Sequence, residues 1–208
     1  MGVAAAASVL VFGGAPLAAQ SRIVGGTTAP VGSWPTMAEV TFSGFLCGGT
    51  LIDQSWVLTA AHCTFDGADA PVAASAYTIR LGLTNRVIPE PTVEMRTVNQ
   101  VVRNPAYMSN GSFTDDVALL HLATPALLGP AVATMDLVGP TDGALWAAGA
   151  TAQIAGWGTL SSGATTLPPQ LWQASLPIVS DAACGAGNVY DNIEHRNRTG
   201  YTALERAA

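Results

Sequence analysis

Lysine is absent from all 208 residues, and charged side chains make up only 11% of them. The eight basic residues are arginines, outnumbered by fourteen acidic ones for a net charge of −6. Such a chain offers no basic stripe, which excludes electrostatic capture of nucleic acid or of anionic lipid. Long apolar stripes at helical period are missing as well, which argues against an α-helical fold. No His/Cys/Asp spacing has the form of a metal site, and no cofactor is expected. Cysteine is scarce: Cys47, Cys63 and Cys184 make an odd count.

What is present is turn-forming and β-prone. Gly (22) and Pro (13) are frequent, and the length suits one large all-β domain or two small ones. Residues 1–19 are almost wholly apolar and small. The stretch 4–12 suits the apolar region of a signal peptide, and Pro16-Leu17-Ala18-Ala19 offers small residues for cleavage. The stretch carries no Lys or Arg before its apolar region, and an uncleaved membrane anchor is the rival reading. Export predicts a secreted protein in which disulfides are permissible. Cys47 and Cys63 can then pair. That leaves Cys184 unpaired, as a reactive thiol, an intermolecular bridge or one half of a bridge whose partner is missing.

After the spacer 20–22, a single Arg22 precedes Ile23-Val24-Gly25-Gly26, the form of a processing site. Residues 36–42, 45–52, 56–60, 77–81, 93–102 and 117–122 read as strands by β-branched content or alternation. Six strands in about 100 residues predict a small closed antiparallel barrel, which removes unpaired edges. A Pro/Gly/Ala-rich connection spans 123–150, and two more strands are predicted at 152–157 and 171–179. Residues 185–208 are polar and without alternation, and are expected to form an unpatterned tail. They include His195 and a sequon-like Asn197-Arg198-Thr199.

The chemistry-bearing residues cluster around Leu58-Thr59-Ala60-Ala61-His62-Cys63. Histidine is the side chain most readily poised as a general base near neutral pH. Taken alone, a His-Cys pair also fits a core histidine beside a structural thiol. Three further segments stand in order around it: Ile23-Val24-Gly25-Gly26, Asp115-Asp116-Val117-Ala118-Leu119-Leu120 and Ile154-Ala155-Gly156-Trp157-Gly158. With Cys47-Gly48-Gly49 these resemble the chymotrypsin/trypsin family of serine proteases, over about residues 22–184.

The resemblance implies a double antiparallel β-barrel, with a first barrel over about 23–122 and a partial second barrel over about 150–184. It implies a general base at His62 and an orienting carboxylate at Asp116, the residue directly before the apolar strand, rather than at Asp115. It also implies a Cys47–Cys63 disulfide across the histidine loop, an activating cleavage between Arg22 and Ile23, and a polypeptide substrate or inhibitor as partner of a monomeric protein. His121 is expected on the surface, without a catalytic role.

The family's nucleophile lies in Gly-Asp-Ser-Gly-Gly, and no such motif, nor any Gly-x-Ser-x-Gly, occurs in the 208 residues. Ser161, Ser162, Ser175 and Ser180 match a loop and a strand remote from the reacting bond. In the family, a cysteine further downstream pairs with the position matched by Cys184. Both absences predict a protease chain cut short or frame-shifted near 185–190, inactive as written. The alternatives are a non-catalytic protease homologue acting as a binding module, or a non-functional gene product.

Overall fold

The computed structural model describes residues 26–107, 115–160 and 166–180. In chain order its strands are β1 (Thr27–Thr28), β2 (Met37–Phe42), β3 (Phe45–Asp53), β4 (Trp56–Thr59), β5 (Thr78–Leu81), β6 (Glu94–Arg103), β7 (Ala118–Leu122), β8 (Thr151–Gly156) and β9 (Trp172–Pro177). Two single-turn 3₁₀ helices, His62–Thr64 and Ala74–Ala76, lie between β4 and β5.

Strands β2 to β7 close into one antiparallel barrel, ordered β2-β3-β4-β7-β6-β5. Period-2 alternation fills it. Ile79 and Leu81 on β5, and Ala118, Leu120 and Leu122 on β7, point inward, while Arg80 and His121 between them point out. Val40, Leu51, Val57 and Tyr77 complete the interior at 1% exposure or less. Two glycines permit the closure. A Cβ on Gly49 would lie 2.7 Å from Val57 Cγ1, so a side chain there would push β3 off β4. Gly82 turns the chain at φ +69°, where a Cβ would meet the Thr92 carbonyl oxygen at 2.6 Å.

Strand β2 departs from simple alternation, because both of its faces are covered. Its second face carries Met37 and Glu39. Met37 packs with Ala29, Leu83, Trp157 and Leu171 in a separate apolar cluster that joins the barrel to the remaining strands. Those strands form the sheet β1-β9-β8, in which the hairpin β8–β9 runs in register from Thr151↔Pro177 to Gly156↔Trp172. Strand β1 comprises two exposed threonines with no alternation to announce them. It forms because Thr27 and Thr28 pair with Gln173 and Trp172. The sheet is fixed to the barrel by Trp34 Nε1, donating to Gln173 Oε1 at 2.6 Å, and by Leu171 N, donating to the Thr84 carbonyl at 2.8 Å.

The expected barrel is therefore present with strand ends shifted by at most one residue, and the second sheet is partial among the described residues. Tyr77, expected at a strand start, instead ends the second 3₁₀ turn just before β5. The stretches around Arg22, Ile23, Cys184 and His195, and the expected tail 185–208, lie outside the described residues.

Candidate active site

The site grows out of the end of β4. The strand stops at Thr59, whose hydroxyl donates to the Gly48 carbonyl at 2.8 Å, and the chain turns through Ala60-Ala61 into the 3₁₀ turn of His62. Two buried alanines give that turn room to tuck against the barrel. Cys63, the next residue, is bonded to Cys47 on β3 across a sequence separation of 16. A loop of that size contributes about 3 kcal/mol in the chain-entropy picture, and here the bridge ties the histidine turn to the barrel wall.

The turn has no side-chain cap of its own. Asp116 supplies one from 54 residues away, with its Oδ1 accepting from His62 N at 2.6 Å. Its other oxygen, Oδ2, lies 2.6 Å from His62 Nδ1. One carboxylate thus holds both the backbone and the ring of the same histidine. Accepting a hydrogen bond from Nδ1–H fixes the tautomer, so the basic lone pair sits on Nε2. The Asp116 side chain is 6% exposed and the His62 ring 41%, an anchored carboxylate beneath an accessible imidazole.

The choice between the two aspartates has a backbone cause. Asp115 adopts a left-handed φ of +61°, and its carbonyl accepts from Val117 N at 2.8 Å. This tight reversal turns Asp116 inward at the head of β7. Aspartate is among the few residue types that tolerate such a φ.

Around this pair lie groups the sequence did not single out. Tyr107 packs with Ala61, Ala118 and Phe65. Burial, and then the negative charge of Asp116, push its phenol above the ordinary value. Arg103 reaches from the end of β6 to the histidine turn, donating to Thr64 Oγ1 at 2.8 Å and to the Thr64 carbonyl at 2.9 Å. An arginine at the end of the ten-residue strand β6, and a tyrosine at the edge of a loop, give no periodic signal that could have marked them.

His62 opens onto a groove of about 350 Å³ lined by Phe42, Phe45, the Cys47–Cys63 bridge, Phe65 and, just past the end of β8, Trp157. Asp66 lines it as a charged group; hydrogen bonds from the Ala70 and Ala68 amides hold its carboxyl below the usual range. Cys47, His62 and Cys63 bring three potential metal-ligating atoms within 4.8 Å of one another. The two sulfurs are bonded to each other, which leaves no thiolate for a metal to use. His121 sits outside the barrel, bonded to Asn99 Oδ1 at 2.7 Å and edge-on to Trp56. Ser175 is on the exposed side of β9; Ser161 and Ser162 lie outside the described residues.

A closed antiparallel barrel with a histidine–carboxylate pair and a disulfide at its rim, and a second sheet leaning on it, is the scaffold of a two-barrel hydrolase. A family model described as Trypsin matches residues 23–201. A curated relative named Trypsin, from Xenopus laevis, is 30% identical over 177 residues, covering 85% of this chain and 67% of that protein. The chain belongs to the trypsin family of serine proteases, peptidase S1.

Proposed function

We propose that this chain carries the base-and-acid half of a serine endopeptidase site, with His62 as general base and Asp116 as its orienting acid. The observation that carries the reading is the double grip of Asp116 on His62, through the backbone N–H and through Nδ1. In peptide-bond hydrolysis such a histidine takes the proton of a serine hydroxyl as it attacks, then delivers it to the departing amine. The carboxylate stabilises the imidazolium that forms between these two steps. The 208 residues encode no Gly-x-Ser-x-Gly nucleophile, so by themselves they do not complete that cycle.

Residues 1–19 act in this reading as an export signal, and cleavage after Arg22 releases Ile23 as a new amino terminus. The mature protein is then secreted and monomeric, and its partner is a polypeptide segment, substrate or inhibitor. Beside the catalytic reading stands a binding-module reading. It is favoured by the apolar groove next to His62, which can hold a polypeptide without cleaving it.

Proton NMR of the folded chain tests the pair. A hydrogen bond this short between imidazole and carboxylate gives a far-downfield Nδ1–H resonance. The resonance is expected in the wild-type chain and absent in Asp116→Asn. A wild-type spectrum without it, or an Asp116→Asn spectrum that retains it, would show that the two residues do not act as a base–acid pair.

A further inference from the structure

The histidine turn has a second support that the base–acid pair does not explain. Strand β6 ends at Arg103, whose backbone pairs with Ala118 on β7, two residues after Asp116. Its side chain crosses to the other partner. Nε donates to Thr64 Oγ1 at 2.8 Å, and Nη2 donates to the carbonyls of Thr64 and Val72, each at 2.9 Å. The guanidinium carbon lies 5.2 Å from the centre of the Phe65 ring. Thr64 relays the contact inward, its hydroxyl donating to the Ala61 carbonyl at 2.6 Å. Every group gripped, Val72 excepted, lies within three residues of His62.

We infer that Arg103 is a positioning residue for His62. It makes the separation between the histidine turn and the Asp116 strand a fixed distance, rather than one set by the 2.6 Å contact alone. The chemistry suits arginine specifically. Three oxygens in different directions are met by one rigid, permanently charged fork, and its flat face covers an aromatic ring. Lysine would keep the charge but has neither the fork nor the plane. Beside the Cys47–Cys63 bridge and the Asp116 carboxylate, Tyr77 also holds the turn from the barrel, through a longer 3.3 Å bond to the Cys63 carbonyl.

The inference rests on the base–acid reading above, and its test is arranged to separate the two. The measured quantity is solvent exchange of the His62 Nδ1–H proton, read beside the backbone amide of Leu120 on β7, which reports opening of the whole barrel. In Arg103→Ala the His62 proton is expected to exchange at least about tenfold faster while the Leu120 amide keeps its wild-type rate. Arg103→Lys, a milder change that keeps the charge, is expected to give at least about a threefold acceleration, and it decides the question should Arg103→Ala not fold. Smaller effects on the His62 proton, or equal acceleration of both protons, would overturn the inference by reducing Arg103 to general stabilisation or to none. Asp116→Asn sorts the failures. If that substitution leaves the His62 resonance in place, the base–acid reading falls and the positioning role with it. If it removes the resonance while the arginine variants behave like wild type, only the positioning role falls.

Discussion

Tyr77 closes the barrel beneath the histidine turn at 1% exposure, its ring tilted against that of Phe42 and its hydroxyl donating to the Cys63 carbonyl. Burial raises its phenol above the ordinary value, an effect opposed in part by the positive charge of Arg103. Tyr107 is shifted in the same direction, by burial and then by Asp116 and Asp69. A phenol whose folded pKa is raised binds its proton more tightly in the folded than in the unfolded state. The stability it contributes is therefore complete below the unfolded value of about 10, and is lost as pH rises toward the folded one. Urea melts between about pH 9 and 11 should show stability falling with pH, and Tyr77→Phe should flatten that slope. An unchanged slope in Tyr77→Phe would place the alkaline sensitivity elsewhere.

At the scale of elements, β2 is held on its outer face by a charge cluster. Glu39 is fully buried, yet accepts from Arg80 Nη2 at 2.7 Å and from Arg86 Nε at 2.6 Å, and also pairs with Arg80 Nε. Arg86 belongs to the loop after β5, which Glu90 also shapes by accepting from the amides of Thr84 and Asn85. The cluster therefore pins the loop to the barrel, and the loop in turn carries β9 through Thr84 and Leu171. Removing one member of a buried pair leaves charge without compensation. Glu39→Gln should destabilise the barrel by about 3 kcal/mol, measured by chemical denaturation, and loss of under 1 kcal/mol would assign the cluster a minor role.

The same elements show what could be read from the chain. Strands β5 and β7 were legible because alternation survives wherever one face is solvated. The histidine and aspartate of the site were legible because they sit in contiguous motifs. Glu39 was not, since its partners lie 41 and 47 residues along the chain and neither has any pattern linking it to β2. Arg103 and β1 were hidden for the same reason. Their conformations are set by groups that only the folded barrel brings near, and local sequence carries no trace of that meeting.

At the scale of the whole molecule, a closed barrel and a partial sheet meet along one apolar seam of Met37, Leu83, Trp157 and Leu171. The groove at His62 is bounded from both sides of that seam, by Phe42 and Phe45 on one and by Trp157 and Gly158 on the other. Among the described residues no helix is long and apolar enough to cross a membrane. In the proposed reading His62 and Asp116 are a trypsin-family base and acid, and the 208 residues encode no Gly-x-Ser-x-Gly nucleophile for them to serve. A fluorophosphonate probe, which labels an activated serine covalently, tests it most directly when applied to the purified chain with the His62 resonance present as proof of folding. No labelling above a heat-denatured control is expected; stoichiometric incorporation on any serine would contradict the absence of a nucleophile.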